Sequence, residues 1–402
     1  MKSKSIITLL AALALAPLAS ADTEIRLTGS TAFRSAVHNA LFNSFFTGPP
    51  DFAHSGTAGN YSGASKSIWR GTVSGISGTT TVRATWSGSA TGISSVTSGS
   101  VVSFLTTATV AGSGENAGAT ASEDLTAHAA FSDVGQASTA FTSPTLTDNP
   151  VGVVAFTWVV NDTAATGATV KERYGFDNIT AQFVRALYSS GFQQKSMLTG
   201  NPAHTDLVFA MGRDTGSGTR ITMLVETKYG AFTPVQQFSA TASGDDITEL
   251  RLWPVAPFSG GDALAGNGGY SSGGTLRGFL ANKTDSSFNL LDADGNLITA
   301  LTNCSMISSI GISDSNTVVS GGGARLGYEG VHYEGTVDDA MIQEGAYTLW
   351  GYQHLLNATL DSDQTTARDA LITAVDANVG SAGLALSSMN VVRAEDGGVV
   401  GP

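Results

Sequence analysis

The segment Arg213-Asp-Thr-Gly-Ser-Gly-Thr-Arg220 combines cationic side chains, hydroxyls and glycines in an order suited to holding an anion. An apolar, strand-like run at 206–211 comes before it, and residues 221–226 can continue as a helix after it. The glycines let the backbone approach a ligand closely, and the planar guanidinium of Arg213 suits a tetrahedral oxyanion. The segment therefore predicts an anion-binding loop at a helix start. The competing interpretation is a capped turn with a surface arginine.

Three other segments place small hydroxyl residues just ahead of an expected helix. They are Thr28-Gly-Ser-Thr-Ala-Phe33, Ser87-Gly-Ser-Ala-Thr-Gly92 and Phe131-Ser-Asp-Val134. The first of them precedes apolar residues with the spacing of a helix face, so Ser30 or Thr31 is expected to be the N-cap. Taken singly, each segment also fits an ordinary helix start, because Ser and Thr favour that position.

The order of these four segments, followed by Tyr347-Thr-Leu-Trp350, resembles the phosphate-binding proteins of bacterial ABC transporters over most of the chain. The resemblance implies the two-lobed α/β fold of type II periplasmic binding proteins. In that fold each lobe is a mixed sheet flanked by helices, and the ligand cleft lies between the lobes. The parts implied here are a signal peptide at 1–21, lobe 1 at 22–150 plus 318–402, and lobe 2 at 151–317.

The resemblance also implies ligand contacts from both lobes. In the family, two serine loops of the first lobe contact the anion, a Ser-Asp pair at a strand end accepts the phosphate proton, and the arginine loop clamps from the second lobe. The implied ligand-binding residues are Ser30, Thr31, Ala32, Ser89, Asp133, Arg213, Ser217, Gly218 and Thr219. The family's aspartate that braces the arginine is replaced by Thr215, with Asp214 one position earlier.

Composition indicates a folded, exported chain. The 402 residues are 42% hydrophobic and only 13% charged, which argues against disorder, and the net charge of −13 argues against nucleic acid as a partner. Met1-Lys-Ser-Lys-Ser5, the apolar run at 6–18 and Ala19-Ser-Ala21 form the pattern of a secretory signal cleaved before Asp22, so we expect a periplasmic or otherwise exported protein. The single cysteine, Cys304, stands in an apolar context and predicts a buried structural thiol.

Two stretches predict elements that frame the site. The continuous apolar run Val151–Val160 predicts a buried strand crossing between the lobes. Residues 281–300 predict a hairpin whose turn, Asp292-Ala-Asp-Gly-Asn296, also has some of the composition of a calcium loop. Its glycine comes too early for that loop, so a hairpin turn is the preferred interpretation. The Ala-, Gly- and Ser-rich stretch at 106–126 is interpreted as an insertion of unassigned role.

These patterns lead us to expect a monomeric solute-binding protein, not an enzyme, that captures phosphate or a related oxyanion and delivers it to an ABC transporter permease. No cofactor is predicted, and the histidine spacing supports no metal site. Sulfate, molybdate or an organophosphate remains an alternative ligand. One alternative function is a surface or matrix protein that uses the scaffold for adhesion or assembly. Another is an exported serine hydrolase built on Gly269-Tyr-Ser-Ser-Gly273 with His332, His354 and Asp338.

Overall fold

The fold is known from a computed structural model that describes residues 22–110, 112, 114–254, 256–258 and 261–402. The predicted signal peptide at 1–21 lies outside the described residues. The strands are β1 Thr23–Gly29, β2 Asp51–His54, β3 Lys66–Gly71, β4 Thr80–Trp86, β5 Val101–Leu105, β6 Glu115–Ala117, β7 Ser122–Thr126, β8 Ala129–Ser132, β9 Thr147–Val160, β10 Asn178–Ile179, β11 Phe192–Gln194, β12 Leu207–Ala210, β13 Phe238–Ser243, β14 Asp246–Leu252, β15 Ala256–Phe258, β16 Gly261–Leu264, β17 Phe288–Leu291, β18 Leu297–Leu301, β19 Ser305–Gly311, β20 Ala324–Tyr328 and β21 Trp350–Asn357.

Helices cover the sheets and connect their strands. The α-helices are α1 Arg34–Ala40, α2 Ser89–Ser98, α3 Val170–Tyr174, α4 Ala181–Ser190, α5 Ser196–Thr199, α6 Gly218–Glu226, α7 Gly273–Leu280, α8 Ile312–Ser320, α9 Asp339–Gln343 and α10 Ser362–Asp376. Short 3₁₀ turns lie at Thr107–Thr109, Gln136–Ser138, Thr336–Asp338, Gly380–Ala382 and Leu386–Ser388, and a π-helical turn at Leu41–Phe45 continues α1. The π turn lets the chain leave α1 without a break in helical geometry.

The main sheet runs in the order β11-β12-β19-β9-β21-β8-β1-β4-β3-β2-β6, with β20 also on β9 and β10 on β20. Strand β9 joins its two sides, because Thr147–Ala155 pair with β21 while Phe156–Val160 pair with β19. We call the part built on β8, β1, β4, β3, β2 and β6 lobe 1, and the part built on β19, β12, β11, β20 and β10 lobe 2. The mixed, two-lobed α/β class predicted from the sequence is confirmed.

Strand β9 confirms the buried crossing strand predicted at Val151–Val160. All ten of those residues are buried, as expected for a strand covered on both faces. The boundaries proposed for the lobes at 150/151 and 317/318 stay predictions. Strand β20 pairs with Trp158–Val160 of β9, and the chain next pairs with lobe 1 at β21.

The hairpin predicted at 281–300 is present as β17 and β18, which pair antiparallel around the turn at 292–296. Asp292 Oδ1 accepts the backbone N–H groups of Asp294 and Asn296 at 3.0 and 2.8 Å, so its carboxylate closes the turn. The stretch at 106–126 carries β6, which extends the main sheet next to β2, and β7, which pairs with β5. Cys304 is buried as predicted, and burial raises the pKa of its thiol to about 11.

A C-terminal segment ties the two lobes together on the side of α6 away from its N-terminus. Asp396 Oδ2 accepts hydrogen bonds from Gly135 N at 2.8 Å and Ser138 Oγ at 2.6 Å, both in lobe 1. Arg393 Nη1 lies 3.1 Å from Glu226 Oε2 at the last residue of α6, and Lys228 donates to the carbonyl of Gly397. We call residues 393–397 the C-terminal clasp.

Candidate functional site

The arginine loop lies between β12 and α6, which is the strand-loop-helix arrangement predicted from its sequence. Ser217 is the N-cap, and its Oγ accepts the N–H of Arg220 at 3.4 Å. Buried Arg220 fixes the loop from behind, since its Nη1 donates to the carbonyls of Arg213 at 3.3 Å and of Asn267 at 3.0 Å. The loop is thus held in shape by buried hydrogen bonds before any ligand arrives.

The Arg213 side chain is braced by backbone carbonyls instead of an acid. Its Nε donates to the Tyr270 carbonyl at 3.0 Å, and its Nη2 donates to the Ser271 carbonyl at 2.9 Å. Within the described part of the chain, Nη1 has no acceptor. Asp214 Oδ1 instead accepts the N–H of Gly216 at 3.2 Å, so it shapes the turn without an ion pair to Arg213. Burial lowers the pKa of Arg213, and the neighbouring carboxyls of Asp214 and Asp133 oppose that shift.

The brace requires glycine at position 269, the first residue of the segment Gly269-Tyr-Ser-Ser-Gly273. Tyr270 forms a parallel bridge with Arg213, and a Cβ on Gly269 would overlap the Arg213 backbone, only 2.5 Å from Asp214 N. Ser271 forms no side-chain hydrogen bond with His332 or His354 in the described residues. His354 Nδ1 instead lies 2.8 Å from Asp148. The geometry of a nucleophile and its base is therefore not assembled at Ser271.

A buried polar cluster in lobe 1 contains three of the predicted ligand residues. Ser30 Oγ donates to Asp133 Oδ1, and Ser89 Oγ accepts the N–H of Asp133 at 3.1 Å. All three residues are almost fully buried. Burial raises the pKa of Asp133 to about 6, while the Ser30 hydroxyl and Arg213 oppose the shift. The expectation that Ser30 or Thr31 caps α1 is wrong: Phe33 takes that position, and the Ser30 hydroxyl is committed to Asp133 and to Ala32 N.

Glycines of both lobes make the contact that closes the molecule over this cluster. Ala90 N donates to the Gly216 carbonyl at 3.0 Å across the lobes. Gly88 has φ of +100°, and a Cβ there would lie 2.8 Å from the same carbonyl. A Cβ on Gly218 would lie 2.7 Å from Asp133 Oδ2 and closer still to Ser89 Oγ. The lobes therefore meet backbone to backbone, and side chains at these positions would separate them.

Next to this contact, a cavity of about 580 Å³ opens between the lobes. Lobe 1 contributes Thr31, Ala32, Arg34, Ser35, Asn60 and Ser62 to its wall, and lobe 2 contributes Arg213, Thr219, Ser272, Arg277, Ser313 and Asp314. Of the nine predicted ligand residues, four line this cavity: Thr31, Ala32, Arg213 and Thr219. The other five, Ser30, Ser89, Asp133, Ser217 and Gly218, lie at the lobe contact beside it.

The charged residues lining the cavity are Arg34, Arg213, Arg277 and Asp314. Three guanidiniums against one carboxylate leave a formal charge of +2 in an enclosed space. Arg277 Nη1 pairs with Asp314 Oδ1 at 2.8 Å, whereas Arg34 forms no ion pair with any described residue. Burial lowers the pKa of Arg34, with Arg213 and Arg277 adding to the shift and Asp314 opposing it. The cavity can therefore accept a negatively charged ligand.

Sequence reasoning missed Arg34, Arg277 and Asp314. A signal for Arg34 existed: it is the first residue of α1, where the helix dipole disfavours a cation, so its position needs another explanation. Arg277 and Asp314 are 37 positions apart and meet only because α7 and α8 pack together. Neither residue has a local pattern that marks it as part of a site.

Metal-binding clusters and membrane-spanning helices are both lacking among the described residues. No group of His, Cys, Asp and Glu among them has the arrangement needed to hold a metal ion. None of the described helices combines the length and the apolar character that a membrane crossing requires.

Comparison with solved structures returns two proteins that align with most of this chain at low sequence identity. The chain aligns with PstS from Borrelia burgdorferi at 12% identity and a TM-score of 0.40, over 90% of this chain and 99% of that one. It aligns with PfluDING, a high affinity periplasmic phosphate-binding protein bound with phosphate, at 14% identity and a TM-score of 0.41, over 90% and 91% of the two chains. No family model and no curated protein matches the sequence. Both similarities concern the fold alone.

Proposed function

We propose that this chain is an exported solute-binding protein that captures an oxyanion, phosphate first, between its lobes and passes it to an ABC-type transporter permease. The observation that carries the proposal is the group of three arginines, from both lobes, around one cavity with a single carboxylate. An anion touching both lobes stabilises the closed arrangement, because it is bound fully only when the lobes meet.

Arg213 is the centre of the proposed site. Two carbonyls already hold its Nε and Nη2, so the remaining Nη1 is oriented without further loss of side-chain freedom on binding. Thr219, in the first turn of α6, adds a hydroxyl and lies where the helix dipole favours a negative charge. Thr31 supplies a hydroxyl from the other lobe.

The experiment is calorimetric titration of the purified protein with phosphate, sulfate and molybdate, using Arg213→Ala and Arg213→Lys. A hydrogen bond to a charged group contributes about 1.5–3 kcal/mol, so Arg213→Ala should weaken anion binding by about 10-fold to 150-fold. Arg213→Lys should restore only part of the affinity, because a single ammonium nitrogen lacks the planar fork by which the guanidinium reaches both carbonyls and the anion from separate nitrogens.

A matched control is Arg368→Ala, which removes a guanidinium paired with Asp369 on α10, outside the cavity lining. That variant should bind the anions with the same affinity as the unchanged protein. Equal affinity for Arg213→Ala and Arg368→Ala would refute the assignment of the site. Absence of oxyanion binding by the unchanged protein would favour the adhesion or assembly role instead.

A further inference from the structure

The cavity offers more space and more polar groups than a simple oxyanion uses. An oxyanion of five heavy atoms fills on the order of three water volumes, or ~90 Å³. The cavity measures about 580 Å³, within the range of sites that take small organic molecules. Bare phosphate at Arg213 would leave most of this space filled by water.

Six polar side chains of the cavity wall are left unused by the described part of the protein. Within the described part of the chain, no side-chain hydrogen bond to another residue is formed by Thr31, Ser35, Asn60, Ser62, Thr219 or Ser313, all of which line the cavity. Hydroxyl and amide groups both donate and accept, so a ligand that also does both can satisfy them. A hydroxylated organic group has this property, and a bare oxyanion has far fewer donors.

Asp314 points to the same class of ligand. Its carboxylate lines the cavity, is partly buried and accepts a hydrogen bond from Arg277 Nη1 at 2.8 Å. A second anionic group placed beside it would be repelled, whereas a ligand hydroxyl could donate to its remaining lone pairs. The Arg277–Asp314 pair thus presents a donor and an acceptor side by side on the wall of lobe 2.

We infer that the ligand is a phosphate monoester of a small polyol or sugar, and this inference rests on the proposed oxyanion site. The phosphoryl group is bound by Arg213 with Thr31 and Thr219, and Arg34 adds charge from lobe 1. The hydroxylated part is bound by the Arg277–Asp314 pair and Ser313.

The test is calorimetric titration with inorganic phosphate, glycerol 3-phosphate, glucose 6-phosphate and uncharged glucose. At least one ester should bind ten or more times tighter than inorganic phosphate, and glucose should bind far more weakly than its phosphate. Preference for glycerol 3-phosphate would indicate a polyol ester, and preference for glucose 6-phosphate a sugar ester. If inorganic phosphate binds as tightly as both esters, this inference is overturned and the oxyanion site stands. If none of the phosphates binds, the proposed function fails as well.

Two variants separate the organic part from the phosphoryl part. Gly311 lines the cavity, and a Cβ there would meet no atom within 4 Å, so the side chain of Gly311→Leu begins in open space and takes up part of the cavity. This variant should weaken binding of the preferred ester at least tenfold and change the affinity for inorganic phosphate less than threefold. Asp314→Asn should likewise reduce the ester's advantage about tenfold while inorganic phosphate binds equally or more tightly. Parallel losses for ester and inorganic phosphate in both variants would overturn the inference.

Discussion

Replacing Gly218 with alanine tests the lobe contact with a single methyl group. The new Cβ would lie 2.7 Å from Asp133 Oδ2 and 2.8 Å from Asp133 Cβ, whereas ordinary contacts begin near 3.4 Å. The shortfall is therefore at least 0.6 Å, and Ser89 Oγ is closer still. All these neighbours belong to lobe 1 and Gly218 belongs to lobe 2, so the overlap is relieved by moving the lobes apart.

The expected magnitude follows from overpacking. Adding a methyl group to a tightly packed position costs about 1–3 kcal/mol. If that cost falls on the closed arrangement, anion binding should weaken by about 5-fold to 150-fold. The backbone itself should accept alanine, because Gly218 is the first residue of α6 and its φ is not positive.

Gly278→Ala is the matched control. Gly278 lies in α7 of the same lobe, and a Cβ there would meet nothing within 4 Å. Alanine at an exposed helix position adds up to about 1 kcal/mol of stability. Titration calorimetry with phosphate, urea unfolding and small-angle X-ray scattering of both variants would separate the effects. The idea that this contact closes the lobes would be refuted if Gly218→Ala and Gly278→Ala bound phosphate with equal affinity and had the same radius of gyration.

Two other predictions concern Asp133 and the N-terminus. Because burial raises the pKa of Asp133 from 3.8 to about 6, the folded protein holds that proton where the unfolded chain has released it. Stability should therefore fall as the pH rises from about 4 to about 6, by about 3 kcal/mol in total, and Asp133→Asn should abolish this part of the loss in urea unfolding at pH 4 and pH 7. The same pH dependence of the unfolding free energy in the unchanged protein and in Asp133→Asn would contradict this prediction. For export, mass spectrometry of protein secreted by a bacterial host should find a mature chain beginning at Asp22, and retention of residues 1–21 would count against the proposed signal peptide.

The parts of the fold that sequence predicted are those with local causes. The apolar run of β9, the hairpin turn closed by Asp292 and the loop capped by Ser217 each depend on neighbours within a few positions. The N-cap of α1 was mispredicted because the Ser30 hydroxyl is drawn to Asp133, 103 positions away. Such a competition between local and distant partners leaves no mark in the local pattern.

The candidate site divides in the same way. Glycine and hydroxyl motifs led to Arg213, Thr219 and the lobe contact, since anion loops have recognisable composition. The Arg277–Asp314 pair, by contrast, depends on the packing of α7 against α8. The carbonyl brace of Arg213 was also beyond sequence reasoning, because any residue at 270 or 271 supplies the same acceptor.

The C-terminal clasp joins the last turn of α6 to lobe 1. The clasp holds the helix near Glu226 and Lys228, while Gly218 at the other end packs closely against lobe 1. Nine residues of α-helix span about 13 Å. If lobe 2 turns about the clasp, the arginine loop at the far end of α6 is displaced most and the clasp least.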